Sequence, residues 1–597
     1  MHRSLSALGL MGFLAGVPAA PAPPVISGLA YQLRFNRTTA ATRSVDVTTR
    51  FTIDHPGTVE LSLPIWTPGA YEVSNFARDV VGFEATQNGT AVRWDKRDFD
   101  TWRIQATGAG PVSVHFRFVA DTLDNAMAWS KPDFIFLNGT NVFLYPEGSD
   151  LKFHATVSVE TEADWQVVSA AHQEGPNRFD APSYHDLVDM PFYIGRFDVD
   201  SAMIGGVRHR VASYPVGALK GPARDLFWTQ LKAVVPAMTR VFGETPWPDY
   251  TTFLVFDPAY GGGSALEHQS SHLGIYSPEF IGTPILASIT AHEIFHAWNV
   301  KRLRPADMVP YRYDQPQPTP LLWVSEGITD YYADLALVRA GVVDSAVFLN
   351  LTQGKIEEVA AAPPVALEDA SLSTWIHPVD GTATIYYPKG SLAGFLLDVL
   401  IRDASDDRAS LDDVLRSLYQ STYKAGRGFT TEEWWAAVTR LAGRDIFADF
   451  AARYIDGRET FPWSRVAPLA GFRAVADTIR EPRLGVGTTS VDKKEVVSTV
   501  TPGSSAADAG VLPGDQLVSL GDIKVDPGFG SAFRMRYRDR VGEKVPVALV
   551  RNGQPLTVTL TVRIEERIEQ RLEYDRRPSL KATRIRTGIL HGTVERP

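Results

Sequence analysis

The sequence predicts a multidomain α+β protein: an N-terminal antiparallel β domain, an α-rich domain, and a small β-rich domain near the C-terminus. Three observations predict it. The chain has 597 residues, too many for one core; at roughly one domain per 150 residues it holds three or four. The apolar pattern changes from period two to helical spacing after about Tyr214, which separates a strand-rich from a helix-rich region. Near Arg483 the composition turns again, toward short strands punctuated by Pro-Gly and Asn-Gly. A hydrophobic fraction of 44% and a charged fraction of 21% are those of an ordinary globular chain.

Residues 1–20 read as a signal peptide. Arg3 supplies a positive start, Leu5 to Val17 is apolar, and Val17-Pro18-Ala19-Ala20 is a small-residue cleavage site. The expected address is export, periplasmic or secreted. No other run approaches the roughly 18 apolar residues that a membrane span needs. From 25 to 207, alternating segments such as Val59-Glu60-Leu61-Ser62-Leu63 and Val112-Ser113-Val114-His115-Phe116-Arg117-Phe118 predict antiparallel strands, separated by turns such as Asn88-Gly89.

The region 208–470 begins with helical spacing over Leu226 to Phe242, followed by a strand at Thr251 to Phe256 and a loop at Gly261-Gly262-Gly263. A helix is predicted from Pro284 to Val300, proline being favourable in the first turn. Arg304 to Pro320 must be loop, because repeated prolines exclude regular structure, and helix resumes near Val324. Residues 480–565 form the small β-rich domain. The tail 566–597 is charged and poor in large apolar groups, and its pattern assigns it no structure.

The formal charge of −10 excludes nucleic acid as the main partner. With no cysteine in the chain, any metal must be held by His, Asp or Glu. The decisive pattern is His292-Glu293-Ile294-Phe295-His296. Residues four apart share one helix face, so His292 and His296 can grip one metal ion, with Glu293 placed to activate a water there. That is the core of a zinc peptidase. A third ligand must come from downstream, since a catalytic zinc usually takes three protein ligands. The position six residues beyond His296 is Arg302, not histidine, which excludes the metzincin class. Glu326, in Trp323-Val324-Ser325-Glu326-Gly327, is the better candidate, the gluzincin arrangement in which a second helix delivers a glutamate. Asp330, one turn on, is placed to accept the second ring N–H of a metal-bound histidine. Trp298 and Trp323 read as pocket wall or core, and Lys301, Arg302 and Arg304 as a solvated basic face.

His292 to Pro305, together with Trp323 to Tyr332, closely resembles the glycyl aminopeptidase family of gluzincins, as does Pro64-Ile65-Trp66-Thr67-Pro68-Gly69-Ala70-Tyr71-Glu72-Val73 in the N-terminal domain. Pro502-Gly503-Ser504 and Gly510-Val511-Leu512-Pro513-Gly514-Asp515 resemble a PDZ domain. The resemblance implies one zinc per chain, a thermolysin-like catalytic domain, peptide substrates and cleavage after a small first residue. It aligns Glu267, in Ser264-Ala265-Leu266-Glu267-His268, with the glutamate that binds the substrate's free α-amine. It aligns Tyr387, in Tyr386-Tyr387-Pro388-Lys389-Gly390, with the tyrosine that donates to the oxyanion. By its pattern alone, Glu267 is equally a solvated loop acid, and Tyr386 and Tyr387 are a packing pair. His268 and His272 lack a paired acid and make a poor second metal site. In the PDZ segment, Leu484-Gly485-Val486-Gly487 is the loop expected to hold the carboxylate of a C-terminal peptide. An endopeptidase on the same zinc site, and a PDZ-based peptide-binding protein, are the alternatives.

Overall fold

The computed structural model describes residues 23–445, 447–491, 494–526 and 528–595. The expected signal peptide, residues 1–20, lies outside the described residues. Among them, no helix is long and apolar enough to cross a membrane.

The N-terminal domain is built from one eight-stranded and two four-stranded sheets. Its longest pair, Ser44–Ile53 with Gly110–Val119, is antiparallel. In the second of these strands Val112, Val114, Phe116 and Phe118 are buried while Ser113, His115 and Arg117 face outward, as a two-residue pleat requires. One pair runs parallel, Ile26–Arg34 beside Ala155–Glu160. After the strand Gly57–Ser62 the chain leaves the sheet and crosses to the helical domain. There Ile65 N donates to Tyr313 O at 2.9 Å and Trp66 Nε1 to Arg312 O at 2.7 Å.

The second domain opens with a mixed five-stranded sheet, whose strands lie in the order Asp198–Ile204, Val207–Tyr214, Asp249–Phe256, Ser271–Tyr276 and Gly263–Glu267. It starts about ten residues before the boundary expected near 207. The hairpin across Gly205-Gly206 continues the period-two pattern of the preceding strands, so periodicity shows no change there. Phe253, Val255, Leu273 and Ile275 of this sheet share a core with Phe134, Phe136 and Tyr193 of the first domain. The last strand, Gly263–Glu267, runs antiparallel at the sheet's edge and ends with Glu267 opposite His272.

The motif helix spans Pro284–His296, with Thr283 Oγ1 accepting from Leu286 N. It stops four residues short of the expected Val300. The chain then turns tightly, Leu303 N donating back to Trp298 O at 2.7 Å. Beyond the proline-rich loop, a single wide turn at Trp323–Gly327 leads into the helix Ile328–Arg339. This turn crosses the helix Tyr386–Ala404 at two glycines: a Cβ on Gly327 would lie 2.5 Å from the Gly390 Cα. The near contact of backbones brings Glu326 and Tyr387 to the same cleft.

The small C-terminal domain has its own core, which includes Val497, Leu517, Phe533, Leu549 and Leu560. It is inserted into a ribbon: Phe472–Pro482 on one side pairs residue for residue with Ile564–Tyr574 on the other. The helix Leu580–His591 follows, capped by Ser579 Oγ on Ala582 N at 3.0 Å. Ile585 and Ile589 of this helix are fully buried in the main core. Arg339 Nε and Arg402 Nη1 donate to the carbonyls of Ile589 and Thr593, at 3.0 and 2.7 Å. The tail is therefore structured. Its charges lie along the ribbon and on the helix, and Leu572, Ile585 and Ile589 turn inward, while Ile568 and Leu580 stay exposed.

Candidate active site

Three donor atoms converge between the motif helix and the Trp323–Gly327 turn. His292 Nε2 and His296 Nε2 are 2.9 Å apart, and Glu326 Oε2 lies 3.0 Å from the latter and 3.5 Å from the former. These ligand atoms all fall within 4.8 Å of one another. The set suits a divalent cation: two imidazole lone pairs and one carboxylate oxygen, the three protein ligands that a catalytic zinc usually takes. His296 Nδ1 lies 2.8 Å from the carbonyl of Asn299, which fixes the proton on Nδ1 and frees Nε2 for a metal. Asn299 is itself held by Nδ2 bonds to Val324 O at 2.9 Å and Thr329 Oγ1 at 3.0 Å. The tight turn after His296 thus orients a ligand and ties it to the segment carrying Glu326.

Asp330 does lie beside His292, but its Oδ1 is 4.0 Å from Nδ1, beyond hydrogen-bond length. Its other oxygen holds Lys355 Nζ at 2.6 Å. Lys355 also reaches Asp334 at 2.7 Å and Ser391 Oγ at 2.9 Å. A buried ammonium needs such partners, and this one takes the contact that the sequence assigned to the histidine.

Glu293 is 4% exposed, and its Oε2 has no partner among the described residues. Burial pushes its carboxyl well above the usual range; His296 opposes this, and the Glu267 and Glu326 carboxylates add to it. Glu267 is likewise buried, with Oε1 unpartnered. Burial pushes its carboxyl up to about 7 against the pull of Lys301 and His296. Gly69, at φ +109°, lies directly against it: an added Cβ would stand 2.7 Å from Oε1 and closer still to Oε2.

The tyrosine pair separates cleanly. Tyr386 is buried, its hydroxyl 3.3 Å from Thr374 Oγ1. Tyr387 is partly exposed and its ring stands 6.0 Å from that of His292. From the first domain, Tyr71 OH donates to Glu326 Oε1 at 2.7 Å.

Family models match the chain in three consecutive stretches: the Peptidase M61 N-terminal domain over residues 30–196, M61 glycyl aminopeptidase over 286–393, and a PDZ domain over 482–562. The second stretch contains all three converging ligands. The chain is a zinc metallopeptidase built as the M61 glycyl aminopeptidases are. The peptidase shares its fold with an aminopeptidase N family protein from Idiomarina loihiensis, at 22% identity and a TM-score of 0.82, over 94% of this chain and 100% of that one. An M1 zinc metallopeptidase from Deinococcus radiodurans is a more distant likeness, at 16% identity and a TM-score of 0.46, covering 74% of this chain and 96% of that one. Among curated proteins no match is found.

The rest of the peptidase's charged cleft differs from the sequence expectation. Lys301 and Arg302 are not a solvated face: they are 3% and 5% exposed. Lys301 Nζ pairs with Asp189 Oδ1 at 2.9 Å. Arg302 Nη1 donates to the carbonyls of Ala297 and Gln269, at 2.6 and 2.7 Å. Arg304 lies 3.7 Å over the Tyr311 ring. The turn after the motif helix folds all three inward, onto nearby groups (the Ala297 carbonyl and the Tyr311 ring) and onto Asp189 and Gln269, which lie far away in sequence. Trp298 and Trp323 are core, both 0% exposed. His268 Nδ1 meets Asp189 Oδ1 at 3.2 Å, and His272 Nδ1 the Tyr250 hydroxyl at 3.1 Å.

In the PDZ domain the Leu484 side chain is buried and its carbonyl accepts from Ala506 N at 2.9 Å. Gly485 has φ +76°, and a Cβ on Gly487 would stand 2.5 Å from Thr499 Oγ1. The strand Val486–Val491 that follows is the edge of the sheet. Tyr71, Asp189, Asn299 and Lys355 are the site residues that sequence reasoning missed. For Tyr71 the signal was present, in the Pro64 to Val73 segment that marked the first domain.

Proposed function

We propose that this metallo-aminopeptidase removes the first residue of peptides, preferring small residues such as glycine and alanine, with one zinc per chain held by His292, His296 and Glu326. The observation that carries the exopeptidase reading is Glu267: a buried carboxylate with an unpartnered oxygen, at a strand end beside the ligand cluster. Such a group is costly to bury without a cation to meet it, and a peptide's α-ammonium is the cation that its place in the cleft suits. Fixing that ammonium positions the first peptide bond and no other. The preference for small first residues is supported by the family's glycyl designation.

Zinc, when bound, supplies Lewis acidity at the scissile carbonyl and at the attacking water. Glu293 takes the water's proton and returns it to the leaving amine, a task suited to a buried carboxyl whose Oε2 has no partner among the described residues. Tyr387 donates its phenol hydrogen to the oxyanion as negative charge develops there. His296 is kept in the ligating tautomer by the Asn299 carbonyl.

Hydrolysis of glycyl- and alanyl-p-nitroanilide, beside their N-acetylated forms, tests this reading. Glu267→Gln is expected to lower kcat/KM on the free-amine substrates about 10- to 150-fold, the worth of a hydrogen bond to a charged group. The effect should fall mainly on KM. If wild type cleaves the blocked substrates as well as the free ones, Glu267 is no anchor and the enzyme is an endopeptidase.

The edge strand Val486–Val491 and the loop Leu484 to Gly487 are proposed to take a C-terminal peptide by strand addition. Export to the periplasm or beyond is proposed on residues 1–20 alone.

A further inference from the structure

The segment 63–72 belongs to the first domain by its chain position, yet it reaches into the catalytic cleft. Ile65 and Trp66 are bonded to the backbone of Tyr313 and Arg312. The Pro68 carbonyl lies 3.5 Å from Lys301 Nζ, and Gly69 abuts Glu267. At the end of this segment stands Tyr71, 3% exposed and in the left-handed region at φ +51°. A non-glycine residue there is uncommon and costs about 1–3 kcal/mol, so surrounding contacts must hold it. Trp375 packs edge-on against the Tyr71 ring at 6.4 Å.

Among the described residues the hydroxyl makes one hydrogen bond, 2.7 Å to Glu326 Oε1. Glu326 Oε2 is the oxygen that faces both histidines, so the two carboxylate oxygens are assigned to different partners. A phenol at neutral pH donates. Its hydrogen takes one of the Oε1 lone pairs, lowers the electron density on that oxygen, and fixes the rotation of the carboxylate about its last torsion. That torsion is otherwise broad.

We infer that Tyr71 is a positioning residue of the metal site: its hydroxyl holds Glu326 Oε1 so that Glu326 ligates through Oε2 alone. The N-terminal β domain thereby completes the zinc site of the catalytic domain. Freed from Tyr71, the carboxylate can swing to present both oxygens, or can leave the ligand set.

The inference rests on the ligand assignment proposed above, and the experiment separates the two. Full-length wild type, Tyr71→Phe and Trp375→Phe are stripped of metal. Each is then titrated with zinc against a chelator of known affinity, and loaded with cobalt for its visible spectrum. Tyr71→Phe is expected to bind zinc about 10- to 100-fold more weakly, the usual effect of removing a partner behind a ligand. Its cobalt bands are expected to weaken as the coordination number rises. Trp375→Phe, which trims the same aromatic contact and leaves the hydroxyl, is expected to keep wild-type affinity. The melting temperature of the metal-free Tyr71→Phe protein should match wild type, which assigns the change to the bond and not to the fold. Wild-type affinity and an unchanged cobalt spectrum in Tyr71→Phe overturn the inference and leave the ligand assignment intact. Equal weakening by Trp375→Phe also overturns it, since packing and not the bond would then set the site. If wild type itself takes up no zinc, it is the ligand assignment that fails.

Discussion

Glu293→Gln is expected to abolish turnover of glycyl- and alanyl-p-nitroanilide while leaving zinc content at the wild-type level. The side chain is buried in the cleft yet is not one of the converging donors, so the amide replaces it without disturbing a ligand. What is lost is the proton acceptor. Glutamine is nearly isosteric with glutamate but cannot take a proton at any working pH, and general acid–base catalysis contributes about 10²–10⁴-fold. Because Glu293 acts twice, on the water and on the leaving amine, the loss in kcat belongs at the upper end of that range, with KM little changed. Metal analysis of the same preparation makes the result decisive. A variant that has lost its zinc as well would show Glu293 to be structural, and one that retains a tenth of the wild-type kcat would show that another base serves.

The second large effect is on stability. Asp189, Lys301 and His268 form a buried polar cluster around one ion pair, the carboxylate with 13% and the other two with 0% of their side chains exposed. Burial would raise the Asp189 carboxyl, but the Lys301 ammonium and His268 outweigh it and hold the group well below the usual carboxylate range. Burial would likewise lower Lys301, and the Asp189 carboxylate raises it above its ordinary range. Asp189→Asn takes from the buried ammonium the carboxylate it is bonded to, and breaking a buried pair in this way typically costs about 3–5 kcal/mol.

The pH dependence has a definite sign. A carboxyl whose folded pKa is depressed contributes stability that is fully present above its unfolded value of about 3.9, and loses it as pH falls toward the folded one. The lysine, raised by folding, contributes below its unfolded value of about 10.4 and loses that contribution only above it. Denaturant unfolding of the full chain, followed by tryptophan fluorescence, should therefore show a wild-type advantage that is level from about pH 5 to 9 and shrinks below about pH 4. A variant within 1 kcal/mol of wild type at pH 7 would mean that the cluster contributes no net stability.

How much of this was legible in the sequence depends on what each residue's role requires. His292, Glu293 and His296 were legible because their spacing is set by one helical turn, a local property. Glu326 followed from counting ligands, even though the proline-rich loop lengthens the interval. The domain order followed from changes of periodicity. What stayed hidden depends on distance in the fold. Lys301 and Arg302 look like surface charges, because nothing local reveals that Asp189, more than a hundred residues earlier, waits to pair with one of them. Asp330 sits one turn from Glu326, as its role beside His292 would need, but Lys355 competes for it, and competition between partners is not a spacing. Asn299 acts through its backbone carbonyl, which every residue has. The pattern of the tail beyond 566 assigns it no structure because its charges outnumber its apolar residues, yet three apolar side chains, Leu572, Ile585 and Ile589, pack into the main core.

The ribbon that carries the PDZ domain decides how that domain can be removed. Cutting the chain after Pro482 takes away more than a peptide-binding module. It strips the partner strand from Phe472–Pro482, and with the helix Leu580–His591 and the residues after it the Ile589 and Thr593 carbonyls that Arg339 and Arg402 need, leaving two guanidiniums short of acceptors inside the catalytic domain. A truncated enzyme that is dead or insoluble would say nothing about peptide capture. Internal excision is the informative surgery. Pro482 and Ile564 face each other across the ribbon, so a two-residue Asn-Gly turn can join them and convert the graft point into an ordinary hairpin. The architecture is that of a detachable head on a fixed neck, and a head of different specificity could be set on the same neck without touching the zinc site.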